Sequence, residues 1–415
     1  MAQTIYNQTA NERQLKRCYA GVETNIGVEV APDFRLYGDM SLKKARSLAA
    51  RREYAGTLFS RYSPVRGPVE ITGQYDQGLS YEDLAILLQF GAAKEPTPTD
   101  DGNTVHGYTR VYTPDPTRIW LNTFSAELGW PGFVKSGSML HFPEFTISGD
   151  IDDAEAVWKW SSKVQGRTLE PKAAITGAAT GGSTSTVVKT AAGWTVNAYA
   201  GSYVRMTGGT ANNLQQVREI LSNDATTLTL VEPFPAAVVA TDTFEIAPPF
   251  TASIADRQRE SIAMPGTQLF IDTASAIGTT QQVGRLISFS NTFSTTAMLK
   301  RFAEDVNSYS KRLGAGEKLV SGQLKMEFDN RDQYDNWNNG TELKIRIQSI
   351  GSQINASPAT NKLARIDVPR AIYDTLDEDE RGENITATIA YIGFVDLTNN
   401  YPVQYTVKDK QATLP

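Results

Sequence analysis

Few side chains in this 415-residue chain have the type and spacing for chemistry. His106 and His141 are the only histidines and Cys18 the only cysteine. A zinc hydrolase of the H-E-x-x-H kind needs paired histidines on one helix face, and a serine hydrolase needs a G-x-S-x-G elbow; the sequence contains neither. A lone cysteine cannot close an internal disulfide or build a cysteine zinc site. Gly314-Ala-Gly-Glu-Lys318 lacks the spacing and the Ser/Thr of a phosphate-cradling loop. The carboxylates remain. Asp150/Asp152 or Glu378/Asp379 have the residue types for acid–base work on sugars, but nothing in the pattern encloses them in a pocket. The run Asp377-Glu-Asp-Glu380 reads as a cation site, a solvated loop or an acidic patch at an interface; four consecutive carboxylates cannot all face one ion, and the EF-hand spacing is missing. Trp158 and Trp160 offer a stacking surface for a glycan or base, or core packing. The expectation is a protein with no catalytic residue, no cofactor and no metal.

Composition narrows the class. With 40 Lys and Arg against 46 Asp and Glu, the formal net charge is −6, which opposes a nucleic-acid grip. The stretch 36–66 is locally basic, with Lys43, Lys44, Arg46, Arg51, Arg52, Arg61 and Arg66. It reads as a DNA contact, a solvated strand, or a surface that meets acidic groups on a neighbour. The N-terminus has no basic then apolar leader pattern. No apolar run approaches the ~18 residues of a membrane helix. The expected setting is a cytoplasm, without a membrane.

The elements that would position these side chains are largely β, and the chain states them twice. Val69 and Ile71 alternate with Glu70 and Thr72, and Tyr81–Leu88 then reads as a short helix. Ser80-Tyr-Glu-Asp83 is its capping-box-like start, Leu84, Leu87 and Leu88 share one face, and Gly91 is placed to stop it. In the second copy Leu324, Met326 and Phe328 alternate with Lys325 and Glu327, followed by Asp332-Gln-Tyr-Asp-Asn-Trp337 and Gly340. Other predicted strands are 108–112, 118–128, 140–148, 269–273, 285–293, 342–350, 363–368, 384–395 and 403–407. Residues 153–163 read as a short helix or an edge strand. Residues 172–248 lose almost all charge and fill with Ala, Gly, Thr and Val, which marks a small β-module of about five short strands with a hairpin turn at Asn223-Asp224. The division is an N-terminal arm over 1–35 (or an ordinary hairpin), a first domain over 36–171, the inserted module over 172–248, and a second domain with a C-terminal tail over 249–415.

The order and spacing of these segments resemble the major tail tube proteins of long-tailed (siphovirus-type) bacteriophages. Gly322-Gln-Leu-Lys-Met-Glu-Phe-Asp, Tyr334-Asp-Asn-Trp with Gly340, Leu343–Ile350, Ile366-Asp-Val-Pro369, Asn384–Asp396 and Pro402–Val407 are similar to that family's C-terminal half. Val30-Ala-Pro-Asp-Phe-Arg-Leu36, Gly67-Pro-Val-Glu-Ile-Thr-Gly73 and the helix ending Leu-Gln-Phe-Gly91 are similar to its N-terminal half. The likeness covers roughly 20–170 and 250–410; the 172–248 module departs from it. The resemblance implies a mainly β fold with a few short helices: two tandem tail-tube domains of the β-sandwich, barrel-forming kind, with an inserted all-β module. It implies rings stacked into a hollow tube in the virion tail, assembled in a host cytoplasm. Implied partners are further copies of the chain, a tape measure protein, and tail-tip and terminator proteins, with double-stranded DNA passing through unbound. A duplicated chain implies a trimeric ring with pseudo-sixfold symmetry, a hexamer being the runner-up. Strand parity then makes Glu70, Thr72, Lys325 and Glu327 the lumen-facing candidates.

Rival readings are a β binding module that recognises host-surface glycan through 172–248, a baseplate or decoration ring protein, and, third, a carboxylate-based glycosidase.

Overall fold

The structure is a computed structural model that describes residues 16–414 except 53–60, 118–120, 131–132, 249, 252–253, 255, 274–275, 301, 303–312, 315, 329–330, 357–358 and 380–384. The first half contributes β1 (Arg17–Val22), β2 (Phe34–Leu36), β3 (Asp39–Arg52), β4 (Arg61–Gly78), α1 (Tyr81–Gly91), β5 (Thr99–Asp100), β6 (Tyr108–Tyr112), β7 (Phe124–Trp130), β8 (Phe133–Asp150), β9 (Lys159–Gly166) and β10 (Thr168–Pro171). The middle holds β11 (Ile175–Ala178), β12 (Gly181–Gly182), β13 (Thr186–Val188), β14 (Tyr203–Gly208), β15 (Val217–Asn223), β16 (Thr227–Leu230) and β17 (Thr243–Ile246). The second half adds β18 (Gln268–Asp272), β19 (Leu286–Ser294), β20 (Met298–Leu299), β21 (Leu313–Gly314), β22 (Leu319–Glu327), α2 (Asp332–Asn338), β23 (Leu343–Ala356), β24 (Ala359–Asp379), β25 (Thr386–Gly393) and β26 (Gln404–Asp409). At 53% strand and 5% helix the fold is mainly β, as expected, and none of its sheets is closed.

Eight strands run side by side and antiparallel in the order β3-β4-β9-β8-β19-β22-β25-β24. The first four belong to the first half and the last four to the second. The two sets match ladder by ladder. Lys43↔Thr72 in the first corresponds to Thr292↔Ser321 in the second, Gly73↔Val164 to Gly322↔Tyr391, and Glu144↔Lys163 to Thr375↔Ala390. A second group repeats likewise. β1-β7-β8 with β10 corresponds to β18-β23-β24 with β26, Arg17↔Gly129 matching Gln268↔Gln348. Even the register shift recurs: Phe124↔Leu140 then Ala126↔Gly137, against Leu343↔Ala371 then Ile345↔Val368. The long strands β8 and β24 serve both groups and change partners near these shifts, which bend a strand locally.

One glycine in each half is required by close approach. A Cβ on Gly73 would overlap the Ser41 carbonyl oxygen, and one on Gly322 would overlap the Ser290 carbonyl oxygen and the Tyr391 ring. Ser41 and Ser290 are themselves equivalent, so both copies meet the same constraint. Val69, Ile71, Tyr75, Leu324 and Met326 point into a single core to which both halves contribute, with Trp158 and Trp160 buried in it. The module has its own core, including Val187, Trp194, Ile220 and Phe244.

Several expectations are corrected. The strand expected over 118–128 begins at Phe124, its first residues lying outside the described ones. The segment 153–163 is neither helix nor edge: Lys159–Gly166 is a central strand between β4 and β8, its Trp residues hiding an alternation that starts only at Lys159. β8 and β24 are far longer than the expected 140–148 and 363–368, because Pro143, Pro369 and the register shifts break the pattern of one strand into pieces. Asp377–Asp379 lie inside β24, not in a loop; Glu380 is outside the described residues. Gly91 does not cap α1 but sits in its last turn, where a Cβ would meet Phe145 at 2.7 Å; the C-cap is Ala92. The module has seven strands rather than about five, because two short ones, β11 and β12, carry too little pattern to be seen. Residues 17–36 form a paired hairpin, β1–β2, joined to β7; residues 1–15 lie outside the described ones.

Candidate functional site

The candidate surface is the solvent face of the eight-strand sheet together with its two open ends. Alternation sets the face: on β4, Val69, Ile71 and Tyr75 are buried while Glu70, Thr72, Gln74 and Asp76 are exposed. On β22, Leu324 and Met326 are buried while Lys325 and Glu327 look the other way, half-exposed. All four lumen-facing candidates, Glu70, Thr72, Lys325 and Glu327, therefore share one face, β4 and β22 occupying the same place in each repeat.

Hydroxyls dominate the centre of that face. Thr146 and Ser148 of β8 lie opposite Thr292 and Ser290 of β19, with the Thr146 and Thr292 Oγ1 atoms 2.7 Å apart. Acids outnumber bases across it: Asp39, Glu70, Asp76, Glu144, Asp150, Glu327 and Asp377 against Lys43, Lys159, Lys163 and Lys325. Two of the lysines are tied down, Lys163 by Glu144 at 2.7 Å and Lys159 by Asp153. Apolar exceptions are Ala45, Leu319, Ile372, Ala390 and Ile392. A polar, uncharged centre with a slight acidic excess offers phosphates neither anchors nor a strong field.

The ends of the sheet are charged and opposite in sign. Among the described residues β3 pairs on one side only, with β4, and carries Lys43, Lys44 and Arg46 against Asp39, Lys44 being paired with Glu170. At the far end residues 371–379 of β24 pair with β25, and their described side chains include Asp374, Asp377 and Glu378 with no base. Apart from Ala371, still paired with Leu343, and the Asp374 carbonyl, which accepts from Trp337 Nε1 at 3.2 Å, both are edges without a strand partner among the described residues, the ordinary template for adding a strand.

The joint between the repeats is an ion-pair network around α1 that the sequence did not disclose. Asp83 accepts from Arg257 at 2.8 Å and Arg259 at 3.1 Å, and Arg259 lies 3.6 Å over the Tyr37 ring. Glu82 meets Lys362, which also bonds Glu260 at 2.9 Å. Burial opposes the Lys362 charge, but its hydrogen bonds to the two glutamates outweigh that and raise its pKa. Nearby, Arg110 bonds the wholly buried Asp409 at 3.2 Å, while burial pushes the Asp409 carboxyl up to about 6. Glu82, Arg257, Arg259, Glu260 and Lys362, with Lys410 and Gln411, line a cavity of ≈ 580 Å³. Its charges face one another, so it reads as a rigid seam. No local signal could have found it, since the partners come from distant parts of the chain.

His141 is wholly buried in β8, where burial pushes its pKa down to about 4. His106 bonds Asp100 at 2.9 Å, and with Asp101 forms a carboxylate–imidazole trio in a tight loop, where Asp100 Oδ1 accepts from the Gly102 N–H and Asp101 Oδ1 from the Asn103 N–H. Burial pushes the Cys18 thiol up to about 12, well outside the reactive range. Asp150 is an exposed strand end whose side chain accepts from the Asp152 N–H at 2.9 Å. No helix among the described residues is long and apolar enough to cross a membrane. Comparison with protein-family models and with curated proteins finds no match.

Proposed function

We propose that the chain is a virion structural protein that polymerises into stacked rings forming a hollow phage tail tube, a conduit for DNA. One observation carries the reading. Two equivalent four-strand units stand head to tail in one continuous sheet, joined by β8–β19, and leave a β3-type edge at one end and a β8-type edge at the other. A repeat joined to itself in this heterologous way continues until it closes into a ring or extends as a filament. Closure removes both edges, the usual aggregation liability.

Size supports the reading. Eight strands from each of three chains give ~24 strands at ~4.8 Å, a circumference of ~115 Å and a backbone diameter of ~37 Å before strand tilt. Small barrels fill their own interior, but one of this size encloses a channel wide enough for a ~20 Å duplex. The hydroxyl-rich, slightly acidic face, with Glu70, Thr72, Lys325 and Glu327 on it, would line that channel and let DNA slide. The module, with its separate core, would stand apart from the barrel. Tape measure, tail-tip and terminator proteins would be partners in a virion tail assembled in the host cytoplasm.

Negative-stain electron microscopy of concentrated protein is the test. Hollow tubes with sixfold-looking end views and three external knobs would support the trimeric version. Only scattered small particles, even with tail-tip initiators present, would sink it and favour a glycan-binding role for 172–248.

A further inference from the structure

We infer that the acidic end of β24 adds to β3 of a second copy of this chain, antiparallel, in the register of the internal β8–β19 junction. The partner, another copy, is taken from the tube reading; the register is not. Inside the chain Ser294↔Glu144 and Thr292↔Thr146 define how one repeat meets the next. Strand matching makes Thr292 the counterpart of Lys43 and Thr146 the counterpart of Asp377. The same operation applied once more places Lys43 of one copy opposite Asp377 of the next and Ala45 opposite Thr375. The hydroxyl pair of the internal junction becomes an ion pair at the external one.

Charge supports the match. Neither Lys43 nor Asp377 forms an ion pair among the described residues, and both are exposed. The internal junction strands, Glu144–Asp150 and Ser288–Ser294, carry no base and only Glu144 and Asp150 as acids. The free ends by contrast are basic on β3 and acidic on β24. Like charges directly opposite destabilise a strand pair and opposite ones stabilise it, so β24 rejects a second β24 and β3 a second β3. The head-to-tail union is favoured over a two-fold pairing of like edges.

The helices provide a second, independent sign. All eleven residues of α1 are buried, because Glu82, Asp83 and Tyr81 are covered by Arg257–Glu260, Lys362 and Ser349 of the following repeat. At the same place in the second repeat, α2 buries only Gln333. What α2 lacks is the repeat that follows it, and a second copy seated on β24 would supply one.

Paired cysteines test the register, since Cys18 is buried and slow to oxidise. The double variant Lys43→Cys/Asp377→Cys is expected to form intermolecular disulfides in high yield on oxidation under assembly conditions. A control, Lys43→Cys/Ile392→Cys, places the second thiol on the neighbouring strand and should cross-link at least tenfold less. Charge reversal is the companion: K43E or D377K alone should weaken assembly at least tenfold by sedimentation, and the double reversal should recover most of it. Both sites are exposed, and an unchanged thermal melt confirms folding. Tubes that form without Lys43–Asp377 cross-linking, or single reversals without effect, overturn this junction and leave the tube reading standing. Cross-linked head-to-tail chains that never make tubes support the junction and overturn the tube reading. Neither tubes nor cross-links overturns both.

Discussion

The two repeats share a blueprint and differ in what surrounds it. In the first, α1 is capped by Ser80, whose hydroxyl accepts the Asp83 N–H at 3.1 Å, and every residue is enclosed. In the second, α2 is shorter, starts at Arg331 in a helical conformation without a side-chain cap, and is mostly solvated. Leu88 and Trp337, at matching positions, both reach the core, so the inner contact is retained while the outer one is missing. Glu127 and Arg346 show the same divergence. They occupy equivalent places on β7 and β23, yet Glu127 binds Lys172 at 2.8 Å and the Thr251 N–H at 2.7 Å, tying down both ends of the module, whereas Arg346 forms a two-pronged pair with Asp367. Backbone register is set by sterics that both copies must satisfy. Surface partners are free to change once each copy faces a different neighbour.

The comparison can be broken most directly at the shared glycines. Gly73→Ala and Gly322→Ala should each cost roughly 2–4 kcal/mol, because the new Cβ meets backbone that cannot move away. Urea melts that differ widely between the two would show that the copies are not equivalent there. His141 sharpens a contrast, since its counterpart is Ile372. Burial holds the folded pKa near 4 while the unfolded chain titrates near 6.5, so the unfolded state takes up the proton first as pH falls. Stability is complete above pH 6.5 and declines towards pH 4, by about 3 kcal/mol in all. His141→Ile should flatten that part of the profile in chemical melts. If His141→Ile melts show the same acid slope, another group is responsible.

Glu127→Ala should cost about 1–3 kcal/mol by removing the acceptor shared by Lys172 Nζ, the Thr251 N–H and the Thr251 hydroxyl, and should raise proteolysis at 172–174 before the main sheet opens. Arg346→Ala should leave that proteolysis unchanged. The smallest effects are at the helix starts. Ser80→Ala should cost about 1 kcal/mol, while Arg331→Ala, which removes the exposed pair with Asp335 and a distant contact with the Tyr334 ring, should stay within ~0.5 kcal/mol. Equal losses would mean that α2 is capped in solution after all.

Much of this was legible in the chain. Alternation placed Val69, Ile71, Leu324 and Met326 inward and Glu70, Thr72, Lys325 and Glu327 outward, because side chains alternate faces whatever the strand pairs with. The Ser80 cap and the charge-poor module were equally local. What was misread depended on distance. Lys159–Gly166 looked like an edge because only β4 and β8 on either side make it central. β8 and β24 looked like fragments because each strand changes partners at a register shift. The acidic run looked like a loop because its extended backbone is fixed by β25.

Composition and alternation alone mark the chain as β-rich, repeated, with two histidines and one cysteine, and interrupted by a charge-poor stretch. Periodicity, composition and turn chemistry act over a few residues and survive without knowing the fold. The edge-to-edge union of the two copies, the seal by Glu82, Asp83, Arg257, Arg259 and Lys362, and the placing of a basic edge and an acidic edge at opposite ends emerge from the folded chain. Those relations are set by strand pairing between residues far apart in the chain, where the hydrogen bonds run between any backbones and carry no sequence signature of their own.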